Sequence, residues 1–463
     1  AGMVGWRWVS VVCLMGPLLA ACGEQALAAP RAPGLRVAAA AEGTNEGEGV
    51  MAWSRPLANG DSEAPHAVTA PNGDVLVAAT YREPLDVGGG PLPFNRSASR
   101  AHMMVARFSP DGALRWAHGL VPGEGTSNAR VGGLVIDTQG KVWLGGASAG
   151  SQWGTARLPD GPFVARLSAE GAVEHVKGFA GEGTLTVHAV ARDDAGVVVV
   201  GDFSGARDFG DAVREPPDGE RGAFVVRLGA DAHTRWSRVW SAGTQGLLTA
   251  RATAVDAFGG IYIGGAYAGA VCFGGGSFLT VRQRTPFVLK LHPDGTHAWS
   301  RDFRGATGAV SALAVGPDRV FVAGSFSTRF YFQNKPHDAG AHHGFVAAFN
   351  AEGQERWARS FAATATALAT DDAGQLTLTG THDGGLDLGR APSPAGLYVA
   401  RLLPEKGNSL WVRGFSSPLP PTARSVSVDG SGNTLVAVAL RRAQPVGTPY
   451  PHPQDGFLFS LRP

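Results

Sequence analysis

Cysteine is scarce, with three in 463 residues. Cys13 and Cys22 fall near the N-terminus, which leaves Cys272 alone in the body of the chain. A lone thiol cannot close an internal disulfide, and no C-x-x-C or comparable spacing is present to hold zinc. Charge of one sign is also lacking. Lys plus Arg number 40 against 39 for Asp plus Glu, so no basic field would draw nucleic acid and electrostatics name no partner. Apolar segments of helical period are missing beyond the N-terminus. No glycine-rich phosphate loop opens a helix, and the acids do not recur at calcium-binding spacing. What is plentiful is glycine (66) and proline (30), which suits many turns between short strands and disfavours helices.

The N-terminus stands apart. Trp6-Arg7-Trp8 precedes an apolar run from Val9 to Ala20, about a dozen residues and too few to span a bilayer as a helix. A short basic region, a brief apolar core and small residues before a cleavage point predict a secretory signal, with Met3 as the expected initiator. The run ends Leu19-Ala20-Ala21-Cys22, which resembles the lipobox of bacterial lipoproteins. That resemblance implies a signal peptide over 1–21 and lipid attachment at Cys22. Ordinary signal cleavage between Ala20 and Ala29 is the alternative. Gly23 and Glu24 lack the Asp that marks inner-membrane retention in enteric members of that family. The implied place is therefore the outer membrane, periplasmic or surface-facing, with the lipid as the sole membrane contact. Residues 22–50 hold few large apolar side chains beyond Leu27, Leu35 and Val37. Such a segment cannot bury enough surface to offset its ordering entropy, and reads as a flexible tether with a reach of roughly 30 Å.

From 51 to 463 the chain repeats. Phe287-Val-Leu-Lys-Leu-His-Pro-Asp-Gly-Thr-His-Ala-Trp299 reads as a hairpin, because alternating apolar residues flank a turn at Pro293-Asp294-Gly295. The same frame recurs at Met104 to Trp116, Phe163 to His175, Phe224 to Trp236, Phe345 to Trp357 and Tyr398 to Trp411. Each end of the chain holds half of it, with Met51-Ala-Trp53-Ser-Arg at one end and Gly456-Phe-Leu-Phe-Ser-Leu461 at the other. Ahead of each hairpin lies a small-residue strand, such as Ala252 to Val255, then a turn and an apolar run. Copies of that run start at Val75, Val142, Val197, Ile261, Val320, Leu376 and Leu435. Self-similarity of this period overrides the length prior for several domains. The predicted fold is all-β: a single seven-bladed β-propeller of four-stranded antiparallel blades, closed by pairing of the N-terminal and C-terminal strands. Small residues such as Ala309, Ala312 and Ala314 suit the innermost strand, and the Trp strand is outermost.

The order Val255-Asp256, Gly259, Ile261-Tyr-Ile, then Phe287-Val-x-Lys290-Leu and Gly295 to Trp299 resembles the SBBP-type β-propeller repeats of secreted and lipid-anchored bacterial proteins. The resemblance runs over roughly Met51 to Pro463, implies the fold, and is nearly silent about chemistry. His175 where Trp is expected, and Ala437 to Leu440 where Gly is expected, depart from it.

Chemistry is hard to find in the repeats. Gly146-Ala-Ser148-Ala-Gly150 matches the pattern of a hydrolase nucleophile elbow, but an elbow needs a strand followed by a helix. His337, Asp338, His342 and His343 crowd one loop that could hold a transition metal or be merely solvated. Ser109 to Trp116 is similar to a sialidase Asp-box without its spacer. No catalysis, cofactor or metal is therefore expected. In an up-down blade the loops after the second strand lie on one face, and here they are long and variable, the usual setting for binding residues. The expectation is a monomeric binding or scaffolding module for an envelope protein or glycan. Arg82, Arg207, Tyr267 and Tyr331 are the candidate exposed contacts on that face and the channel mouth. The rival reading is a glycan-processing hydrolase or lyase with its active site at that mouth.

Overall fold

The computed structural model describes residues 36–37, 49–58, 65–96, 100–216, 221–338, 343–384, 386–388, 395–416, 421–441 and 454–463. Among them every regular element is a strand, and no helix is long and apolar enough to cross a membrane. The signal segment and Cys22 lie outside the described residues.

Besides two short two-stranded hairpins in loops, the strands form seven antiparallel sheets, six of them with their four main strands paired in chain order. Blade 1 is His66–Thr69, Val75–Tyr81, His102–Phe108 and Leu114–Leu120. Blade 2 is Arg130–Ile136, Val142–Ala149, Asp160–Leu167 and Val173–Gly178. Blade 3 is Leu185–Asp193, Gly196–Phe203, Gly222–Gly229 and Thr234–Ser241. Blade 4 is Leu247–Val255, Ile261–Cys272, Ser277–Leu291 and His297–Asp302. Blade 5 is Ala306–Val315, Arg319–Phe332, His343–Asn350 and Glu355–Phe361. Blade 6 is Ala367–Thr370, Leu376–His382, Gly396–Leu402 and Ser409–Ser416. Blade 7 joins both ends of the chain: Pro421–Val428, Thr434–Arg441 and Gln454–Leu461 carry Met51–Ala58 outside them, with Met51 opposite Leu461 and Ala58 opposite Gly456. The ring closes as the two half-hairpins predict. The blade 7 register corrects one reading: Thr434, not Leu435, pairs with Leu461 and so stands where Ile261 and Leu376 stand in their blades. Within the segment read as tether, Arg36–Val37 pairs along the outer strand of blade 6.

Alternation buries both faces of each blade. Leu76 and Ala78 pack with Val142 and Leu144 of blade 2, while Val75, Val77 and Ala79 pack with Leu435 and Leu458 of blade 7. The division recurs at each boundary, giving seven apolar clusters, one between each pair of neighbours.

The repeated Trp and Gly latch one blade to the next. Trp53, Trp116, Trp236, Trp299 and Trp357 donate their indole N–H to turn carbonyls of the following blade, those of Pro110, Ala169, Pro293, Ala351 and Pro404, at 2.7–3.0 Å. Gly295 in such a turn has φ 79°, and a Cβ there would lie 2.9 Å from the Trp236 ring. Where blade 2 has His175, Arg166 donates to Ala230 O at 2.6 Å instead, and the turn glycine is replaced by Ala232 at φ 60°. In four blades a second contact ties the blade to itself. Asp256 accepts from the amides of Phe258 and Gly260 in its own turn and pairs with Lys290 of the third strand at 3.1 Å. Asp74–Arg107, Asp193–Arg227 and Asp371–Arg401 repeat that pairing.

Candidate functional site

The innermost strand of each blade has no partner on its axial side, and these edges line a central cavity of about 390 Å³. Small residues keep the edges close: Gly133, Ala189, Ala252, Ala312 and Ala367 all line it. In five blades the inner strand carries a bulge at one shared place, at Gly132, His188, Arg251, Ser311 and Arg424. A bulge adds one residue to one side of the ladder and re-aims its side chain. Here the bulged residues all line the cavity, and three of them are basic.

Arg130 and His66 add to this basic lining, in which none of the described residues is Asp or Glu. His188 Nε2 lies 2.8 Å from Asp202 Oδ2, and Asp202 Oδ1 also accepts from the amide of Ala250 at 3.2 Å, next to the Arg251 bulge. Arg424 Nε donates to His66 Nε2 at 3.2 Å, which requires that nitrogen to be unprotonated. Burial, then the guanidinium groups of Arg424 and Arg130, pull the His66 pKa down to about 3. Arg251 is exposed to the cavity and makes no hydrogen bond or ion pair with any described residue. Ser311 donates to Ala365 O at 2.5 Å, whereas the Thr253 hydroxyl has no partner among the described residues. Along the inner strands, the basic positions come first and Leu134, Val190, Leu313, Leu368 and Val426 follow. The cavity is cationic toward the start of those strands and apolar beyond.

Among the described residues, none from the long loops lines this cavity. In blades 3 and 5 the loop lies against the outer strand. Asp211 accepts from Ser237 N at 2.8 Å and from Ser237 Oγ at 2.7 Å, and Gln333 Nε2 donates to Glu355 O and Arg356 O at 2.9 Å. The outer strand of a blade would otherwise present unpaired backbone groups, and covering it removes that hazard. This corrects two of the four candidate contacts. Arg207 is buried and donates to Phe179 O, Glu182 O and Gly183 O in the connection from blade 2. Tyr267 is fully buried against Phe278 and Phe287, and its hydroxyl donates to Asp302 at 2.7 Å. Arg82 is half-buried near His102, whose pKa is lowered first by burial and then by the Arg82 charge. Tyr331 is exposed, at 57%. The structure does not bring the four together in one site.

Ser148 is buried in the second strand of blade 2, where its hydroxyl donates to Pro159 O at 2.6 Å. Ser109 to Ala113 closes a hairpin turn. In the histidine loop, His337 stacks on Phe330 at 4.8 Å, His343 lies against Phe326 and Asp338 pairs with Arg329, while His342 lies outside the described residues. Among the described residues no three potential metal ligands gather.

Sequence reasoning missed the basic ring. Its signal was a charged residue flanked by small ones on an inner strand, as in Val187-His188-Ala189, Ala250-Arg251-Ala252 and Ala423-Arg424-Ser425.

No protein-family profile and no curated protein matches the chain. Solved structures similar to it include a protein of unknown function from Dyadobacter fermentans, with 12% identity over 93% of this chain and 100% of that one and a TM-score of 0.42. The plexin A4 full extracellular region is similar at 9% identity over 89% of this chain and 47% of that one, with a TM-score of 0.46. A subtype N10 neuraminidase-like protein of A/little yellow-shouldered bat/Guatemala/060/2010 is similar at 9% identity over 89% of this chain and 95% of that one, with a TM-score of 0.35. The propeller assignment rests on the strand ladders and blade clusters of the chain itself.

Proposed function

We infer that this is a monomeric, lipid-anchored binding or scaffolding module of the cell envelope that engages a protein or glycan partner through the rim of blades 3 to 5. One observation carries the reading. Each of those blades extends its long loop as a small hairpin, Arg207–Asp208 with Val213–Arg214, the distal part of Ile261–Cys272 with Ser277–Leu291, and Arg319–Phe332 with Lys335–Asp338. On these hairpins Val213, Leu279 and Tyr331 are 68%, 74% and 57% exposed, three of the five exposed large apolar residues described. Apolar side chains held out by rigid hairpins favour a partner surface. The lipobox-like Cys22 supports an anchor that would keep the ring near the membrane.

The test is affinity capture from envelope extracts with the wild type and a Val213→Ser, Leu279→Ser, Tyr331→Ser variant, with mass spectrometry of the mature N-terminus. The expected result is diacylated Cys22 and a partner whose recovery falls about ten-fold in a normally folded variant, the loss of a few weak contacts. Equal recovery refutes the rim, and an unlipidated N-terminus beyond Ala29 refutes the anchor. A second reading, a glycan-processing hydrolase or lyase, has the His188–Asp202 pair beside the axial cavity in its favour. It would require glycan cleavage that His188→Ala abolishes.

A further inference from the structure

We propose that the cleft between the tight turns of blades 3 and 4 binds an acetamido sugar, a hexose that carries an N-acetyl group. Among the described residues none from the rim hairpins lines this cleft, and the site does not depend on them.

The repeat supplies its own control. Five of the third strands carry a basic residue at one register, opposite the Trp or His175 of the outer strand: Arg107, Arg166, Arg227, Lys290 and Arg401. Four of them reach across the boundary to a turn carbonyl of the following blade. Arg107 donates to Ala169 O at 2.9 Å, Arg166 to Ala230 O at 2.6 Å, Lys290 to Ala351 O at 3.1 Å and Arg401 to Gly432 O at 3.0 Å. Arg227 is as buried as these, at 6% exposure, yet makes no such bond. Its Nη2 donates to Asp193 Oδ1 of its own blade at 2.7 Å, while Nη1 is buried with no hydrogen-bond partner among the described residues. A buried donor without an acceptor carries its full desolvation cost. Where this one link between blades is missing, a cleft of about 540 Å³ stands open, lined by Arg227 and by the Gly259 and Pro293 turns it does not reach.

The rest of the lining sets the chemistry of the occupant. Two guanidinium groups, Arg192 and Arg227, share the cleft with the carboxylates of Asp193, Asp194 and Asp256, and Lys290 meets Asp256. These charges cancel, so the acceptor that Nη1 lacks is a neutral carbonyl rather than an anion. The amides of Ala195, Phe258 and Gly260 already donate to Asp193 and Asp256, and Gly259 N donates to Asp256 O. A peptide would therefore find no backbone ladder to join. Phe258 is 89% exposed, the most exposed large apolar side chain described, and offers an aromatic face beside these polar groups. An acetamido sugar meets each feature. Its amide carbonyl accepts from Arg227 Nη1, the C–H face of its ring packs on Phe258, and its N–H and hydroxyls donate to Asp194, whose carboxylate is 99% exposed. A volume of about 540 Å³ lies in the range of small-molecule pockets.

The experiment is saturation-transfer NMR of the full chain with three probes: N-acetylglucosamine, glucose as a ring without the amide, and N-acetylalanine methylamide as the amide without the ring. Transfer to N-acetylglucosamine is expected, with its acetyl methyl among the strongest signals. Glucose should bind about ten-fold or more weakly, the effect of one hydrogen bond to a charged group. Phe258→Ala should weaken sugar binding about ten-fold, the loss of an aromatic contact, with an unchanged unfolding midpoint because the side chain is exposed. Arg227→Lys keeps a charge beside Asp193 but removes the planar fork, and should abolish the preference for N-acetylglucosamine over glucose. Absence of transfer to N-acetylglucosamine overturns the proposal, as does equal affinity for glucose in the wild type or wild-type affinity in Phe258→Ala. Tighter binding of N-acetylalanine methylamide than of the sugar overturns it in favour of a peptide.

Discussion

A turn glycine in this protein answers to two constraints at once. Gly295 holds φ 79°, a region that costs other L-residues about 1 kcal/mol or more. The ring of Trp236 from the preceding blade also occupies the place a Cβ would take. Ala232 is the equivalent residue facing blade 2, where His175 replaces Trp, and its methyl is buried in the cluster between blades 2 and 3. The two positions therefore respond differently. Gly295→Ala should destabilise the fold by about 2 kcal/mol, strain plus lost packing, whereas Ala232→Gly should be close to neutral, because relief of about 1 kcal/mol of backbone strain is offset by the loss of one buried methyl, about 0.8 kcal/mol. Denaturant unfolding measures both. A neutral Gly295→Ala would mean that the Trp–Gly contact is not a latch.

At the scale of elements, the long loop and the outer strand of a blade act as one unit. In blade 3, Asp211 accepts from the Ser237 amide and hydroxyl and pairs with Arg214, so the hairpin is pinned across the outer strand. Removing that carboxylate in Asp211→Ala should cost about 1–2 kcal/mol and speed amide exchange of Ser237 at least about ten-fold. Exchange in blade 6 should be unchanged, and an unchanged Ser237 would defeat the edge-cover reading. The hairpins themselves were legible in the sequence, because alternation and Asp-Gly turns are local signals, and seven copies located both closing halves. The path of the loops was not legible. Arg207 and Tyr267 look like exposed loop contacts until tertiary structure supplies the Phe179 and Glu182 carbonyls and the Asp302 carboxylate that satisfy them. The basic ring was hidden for a different reason. A bulge adds one residue to a strand, which alternation does not register, and His188, Arg251 and Arg424 are brought together only by the closure of the ring.

At the scale of the whole molecule, that closure decides whether the blades share one transition. Each blade buries both faces against neighbours, so a missing clasp exposes an interface as well as an edge. The clasp is Met51–Ala58 on Gln454–Leu461, reinforced where Gly49 N donates to Arg462 O and Arg462 N to Val50 O at 2.9 Å. It places Leu57, fully buried, in the cluster between blades 7 and 1, and it sends the Trp53 indole to Pro110 of blade 1. Deleting 49–58 should therefore remove at least about 3 kcal/mol, the scale of one buried Leu and its cavity, and lower the unfolding midpoint. It also leaves the free edge of Gln454–Leu461 to pair with other chains, so the variant should gain oligomers in size-exclusion chromatography. A synthetic peptide spanning 49–58, added in excess, should restore both the midpoint and the monomer, because binding to the folded state alone raises stability by mass action. An unshifted midpoint in the deletion variant would show that the seven blades hold their ring without the clasp.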